Sequence, residues 1–85
     1  MNLIENIITN ILEKNYKGVH VPCGGVSLSK NCDYLMLNVQ GMKLRNMPFA
    51  AKKILKCFPE IKMVHFTGGW MEHVYSRETL KWMAV

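Results

Sequence analysis

The chain has no C-x-x-C pair, no phosphate-loop or dinucleotide glycine fingerprint, and no window near the ~18 apolar residues of a membrane-spanning helix. Without those fingerprints the usual nucleotide-cradling loops are excluded, and both Gly-Gly pairs read as turns. Acidic residues are few, six in 85, and scattered. None is spaced as a carboxylate pair for acid–base hydrolysis or magnesium binding. Cysteine occurs three times, at Cys23, Cys32 and Cys57. An odd count argues against a closed disulfide framework and for reduced thiols. Residues 1–15 carry Glu5 and Glu13, where a secretory leader needs a basic start and an unbroken apolar stretch. The expectation is a cytoplasmic protein without a membrane segment.

What is present suits one small domain spanning 1–85. Half of the chain is apolar, 49%, enough for a single core but not for two. Leu3, Ile4, Ile7, Ile8, Ile11 and Leu12 recur at helical spacing, with Asn2 as a candidate cap and an end near Asn15. Val19 and Val21 alternate with Gly18 and His20 as a short strand closed by Pro22, and residues 23–32 read as a loop. Strict alternation over Tyr34–Gln40 predicts a second strand. Pro48 starts a second helix that Pro59 stops, and Ile61–Thr67 is a third strand. Residues 79–85 alternate like a fourth strand, with a short helix as the alternative reading of the tail.

An echo between halves 1–41 and 44–85 supports this order: Val19-His20-Val21 and Gly24-Gly25 resemble Val64-His65-Phe66 and Gly68-Gly69. The expected fold is α+β, a two-layer sandwich of order αββαββ. It would carry an antiparallel four-stranded sheet with two helices on one face, a permuted ferredoxin-like arrangement.

The net charge of +5 is concentrated. Residues 43–62 hold six basic residues and one acidic, while the rest of the chain balances to zero. On the second helix Lys52, Lys53 and Lys56 share an arc of about 100°. Ala50, Ala51, Ile54, Leu55 and Phe58 lie opposite, and Phe49 falls among the lysines. Lys43 and Arg45 precede the helix N-terminus, where backbone N–H groups favour anions. These six residues, Lys43, Arg45, Phe49, Lys52, Lys53 and Lys56, make the candidate nucleic-acid surface, with phosphates on the cations and Phe49 stacking. The plain alternative is a solvated helix face with Phe49 folded onto the core.

A second candidate surface is the uncovered sheet face: His20, Tyr34, Met36, Asn38, Gln40, Met63 and His65, with Trp70 beside it. One aromatic ring in the sheet and no ribonucleoprotein consensus make it a weak RNA reader. Its methionines suit a protein partner or a second copy of the chain. Trp70 and Trp82 read as core or interface anchors. His20, Cys23 and Cys32 are weak zinc candidates, with His65, His73 or Cys57 as a fourth ligand, because no paired knuckle is present. A Cys23 nucleophile has no base spaced to meet it.

The sequence therefore predicts a non-catalytic module without a cofactor, binding nucleic acid or a nucleoprotein through residues 43–56. The alternative is a protein-binding inhibitor or regulator, of the phage or mobile-element type, acting on a host protein, for instance a nucleic-acid-handling one. A zinc-stabilised small domain is the further alternative.

Overall fold

The computed structural model describes residues 3–68 and 72–83. Asn2, Trp70 and the last two residues, on which the cap, part of the sheet-face reading and the end of the tail depend, lie outside them. Helix α1, Leu3–Asn15, buries Ile8 and Leu12, with Ile4 and Ile11 packed beside them. Asn15 Nδ2 donates to the Ile11 carbonyl at 2.8 Å, and Gly18 turns the chain at φ +82°. No helix among the described residues is long and apolar enough to cross a membrane.

Strands β1 (Val26–Leu28), β2 (Tyr34–Asn38), β3 (Met63–Thr67) and β4 (His73–Ser76) form one sheet in spatial order β1-β2-β3-β4. Helix α2, Met47–Cys57, follows a 3-10 turn at Leu44–Asn46 and sits between β2 and β3 in the chain. Leu35, Leu37, Val64 and Phe66 point to one side and form a single core with Ile8, Leu12, Ala50, Ala51, Ile54 and Leu55. Both helices therefore cover the same face, and Tyr34, Met36, Met63 and His65 look out from the other.

The sheet is mixed, which corrects the antiparallel expectation. β1 pairs antiparallel with β2 and β3 with β4, but β2 and β3 run parallel in the centre. The reason lies in the connection: residues 39–62 carry α2 back across the sheet, so β3 starts at the end where β2 starts. The Asp33 carbonyl marks that shared end, accepting from Lys62 N at 2.7 Å and Met63 N at 3.1 Å.

Two strands fall elsewhere than the alternation predicted. Val19 and Val21 are buried, yet residues 19–21 contribute only an isolated bridge between His20 and Gln40. They are held by the α1 exit, where Glu13 Oε2 accepts from Val21 N at 2.9 Å. A Cβ at Gly41, whose φ is +82°, would strike the Gly18 carbonyl, so the two backbones approach closely there. The first strand instead lies inside the segment read as loop, where Val26 and Leu28 alternate around Ser27. Its hairpin is closed by Ser29, whose Oγ donates to Asp33 Oδ1 at 2.7 Å and accepts from Tyr34 N at 3.0 Å.

The last strand is His73–Ser76, and residues 77–83 are a run of turns, neither the predicted strand nor a regular helix. Ser76 and Thr79 redirect the chain by exchanging bonds: Ser76 N donates to Thr79 Oγ1 at 2.8 Å and Thr79 N to Ser76 Oγ at 3.3 Å. That turn places Leu80 and Met83 in the core. The Gly-Gly pairs hold different stations, Gly24-Gly25 before β1 and Gly68 after β3.

Candidate functional site

Helix α2 has one buried and one outward stripe. Ala50, Ala51, Ile54 and Leu55 face the core, which turns Phe49, Lys52, Lys53 and Lys56 outward at 100° per residue. Phe49 is 55% exposed; it sits among the lysines and does not fold back. No carboxylate lies in this stripe. Two of the lysines reach sideways: Lys53 Nζ donates to Asn15 Oδ1 at 3.4 Å, and Lys52 Nζ to the Met83 carbonyl at 3.0 Å. The stripe is thus tied to the end of α1 on one flank and to the 77–83 turn on the other.

The turn brings cations that the distribution along the chain did not reveal. Arg77 reaches the C-terminal end of α2, where the last carbonyls of a helix have no partner in the helix. Its guanidinium donates to Leu55 O at 2.6 Å and Ile61 O at 2.7 Å, with longer contacts to Phe58 O and Pro59 O at 3.3 and 3.4 Å. This fork locks the turn onto the helix and offsets the negative pole of the helix dipole. Lys81 follows one helical turn later and lies 3.0 Å from Glu78 Oε1, an exposed pair. Trp82 is 69% exposed, which removes the core half of its reading as a core or interface anchor. Its neighbours Leu80 and Met83 take the core positions.

Between α2 and the turn lies an open groove of about 260 Å³, lined by Lys52, Leu55, Lys56, Arg77, Leu80, Lys81 and Met83. Its wall is cationic and its floor apolar, with no acidic residue among the described ones. Sequence reasoning found Lys52 and Lys56 but missed Arg77, Lys81 and Trp82. The one signal for them was the four-residue spacing of Arg77 and Lys81, undercut by the strand reading of that segment.

Lys43 and Arg45 are exposed at the opposite end of α2, flanking and within the 3-10 turn. Neither has a side-chain partner among the described residues, nor does Lys56. Eleven residues of helical rise separate Arg45 from Lys56, roughly 16 Å. The six predicted residues therefore form an elongated strip along α2, continued by the turn.

The sheet face is assembled differently. Tyr34 and His65 meet edge to face with ring centroids 5.9 Å apart, and the Tyr34 hydroxyl lies 2.8 Å from His65 Nδ1. His65 Nε2 lies 3.5 Å from Glu72 Oε1, and the His65 side chain is 14% exposed. With the Nε2 proton towards the carboxylate, Nδ1 accepts from the tyrosine hydroxyl. Met36, Asn38 and Met63 share this face, and Val74 joins them opposite His65. His20 pairs with Gln40 beyond the end of β2, and its Nδ1 lies 3.5 Å from Glu13 Oε2.

That placement also separates the zinc candidates. Cys23 and Cys32 are exposed in different turns, Cys57 at the end of α2. Among the described residues no three His, Cys, Asp or Glu side chains come together as a metal site. Comparison with protein-family models, curated proteins and solved structures gives no match.

Proposed function

We propose that this chain is a binding module for nucleic acid with unpaired bases, and that the outward stripe of α2 and the 77–83 turn form its contact surface. Lys43, Arg45, Lys52, Lys53 and Lys56 track phosphates, Lys81 extends the track, and Phe49 and Trp82 offer rings for stacking. The supporting observation is the pair of exposed aromatics set among cations. Lysines alone keep a small domain soluble, whereas two bare rings beside them cost solvation without helping the core. Strand-binding surfaces combine those two elements: positive charge for the backbone and aromatic faces for bases. No sequence preference follows from such contacts, since every base has a ring to stack.

The test is fluorescence anisotropy of a labelled 12-nucleotide single strand against the whole chain over a salt series. Binding should weaken steeply with salt, and the K52E/K56E variant should bind at least tenfold more weakly with a flatter salt slope. Equal affinity of wild type and variant would overturn the assignment. A complex with a host protein that survives nuclease treatment and is lost on W82A would favour the regulator reading.

A further inference from the structure

We infer that the groove between α2 and the 77–83 turn seats one unpaired nucleotide of the bound strand, its ring on the apolar floor and its phosphate between Lys56 and Lys81. This inference rests on the nucleic-acid reading of α2 and adds a defined subsite to it. Charge selects the class of occupant. Among the described residues four cations line the groove and no carboxylate does, so an anion gains there and a cation is repelled.

The four cations are not equivalent. Arg77 is committed to the carbonyls at the end of α2, where it cancels a helix pole that would otherwise repel an anion at this spot. Lys52 donates to the Met83 carbonyl. Lys56 has no side-chain partner among the described residues. Lys81 holds only the exposed Glu78, a pair of little net worth that a phosphate displaces readily. The two cations left for a ligand therefore stand on opposite walls, Lys56 on the helix and Lys81 on the turn.

Shape narrows the class. Leu55, Leu80 and Met83 form a floor that simple counter-ions do not use. A volume of about 260 Å³ is below the usual ~300–1,000 Å³ of sites for larger organic ligands. A unit with one flat ring and one phosphate meets both requirements. Continuity favours a strand as its source. Lys56 belongs to the outward stripe of α2 and to the groove alike, so a backbone following the stripe reaches the groove without a gap. Trp82 lies between the lining residues Lys81 and Met83 in the chain and is exposed, which leaves its ring open to a neighbouring base.

The experiment records methyl NMR spectra of the whole chain, labelled at leucine and methionine, during titration with a short adenine oligonucleotide. The same titration is repeated with inorganic phosphate and with an acidic leucine-containing peptide. The oligonucleotide should shift the Leu55, Leu80 and Met83 methyls saturably. K81E, on the exposed turn, should weaken binding about tenfold and shrink those shifts. Oligonucleotide binding that is seen by anisotropy and weakened by F49A but leaves the three methyls still would overturn the groove and keep the α2 surface. An absence of oligonucleotide binding would overturn both. Equal methyl shifts with phosphate alone would reduce the groove to a general anion site, and equal shifts with the peptide would assign it to a protein ligand; either rejects the nucleotide.

Discussion

The open face of the sheet and the outward face of α2 are both left by the core, yet their polar groups are treated in opposite ways. On the sheet, the Tyr34 hydroxyl bonds to His65 Nδ1 at 2.8 Å, and His65 Nε2 lies 3.5 Å from Glu72 Oε1. On α2, Phe49 and three lysines stand together without a carboxylate. A face whose polar atoms satisfy each other is finished by the fold itself. A face of like charges keeps a net positive potential even where Lys52 and Lys53 donate to Met83 O and Asn15 Oδ1, and so favours groups of opposite sign. The two surfaces thus separate a polar network closed within the fold from the surface proposed for binding, although both carry aromatic rings.

Removing the fork that fastens the turn to α2 has the largest expected effect on this contrast. R77A should lower stability by about 2–3 kcal/mol, since it strips charged hydrogen bonds from several carbonyls. The urea midpoint measures this, and R77K should recover only part because ammonium lacks the planar fork. Oligonucleotide affinity should fall with it, as Lys81 and Trp82 lose their placement. F49A and W82A come next and sharpen the contrast most directly. Each should cost about 1–3 kcal/mol of single-strand binding while changing stability by no more than ~0.5 kcal/mol. A large drop in melting temperature for either would return that ring to the core.

Y34F is the mirror experiment on the sheet. It removes one bond from the satisfied chain and should cost about 1 kcal/mol of stability, with oligonucleotide affinity unchanged. The smallest effect concerns the core's edge. Burial pushes the hydroxyls of Tyr16 and Tyr75 above their ordinary pKa. Above about pH 10 the unfolded chain ionises first and binds fewer protons than the folded one. This contribution is whole below that range and is lost as pH rises through it. The Y16F/Y75F variant should show a shallower alkaline decline of the urea midpoint than the wild type.

The parts legible in the sequence were those whose physics is local. Ile8 and Leu12, Leu35 and Leu37, Ala50, Ala51, Ile54 and Leu55, and Val64 with Phe66 each carry their own period, and all lie in the core. Phe49 was legible as an outward residue because 100° steps set it among lysines. The remainder depends on partners distant in the chain. Val26-Ser27-Leu28 is too short to display a period, and it becomes a strand only because β2 is beside it. Parallel pairing of β2 with β3 follows from the path of α2, which no window of residues reports. Arg77 looks like an ordinary turn residue until the helix end across from it is in place. Leu80 and Met83 alternate poorly as a strand because a turn, set by Ser76 and Thr79, delivers them.

The parallel ladder at the centre of the sheet also sets the tempo of folding. The β1–β2 and β3–β4 pairs join near neighbours and can zip on roughly the microsecond scale of hairpins. β2 and β3 meet only after residues 39–62 have closed, so that encounter is the entropic bottleneck. Doubling the length of the connection to be closed would add only about 0.6 kcal/mol to loop closure. It would slow refolding a few-fold while leaving the unfolding rate nearly untouched. Chevron plots of such an insertion would show whether the two halves zip first and dock last.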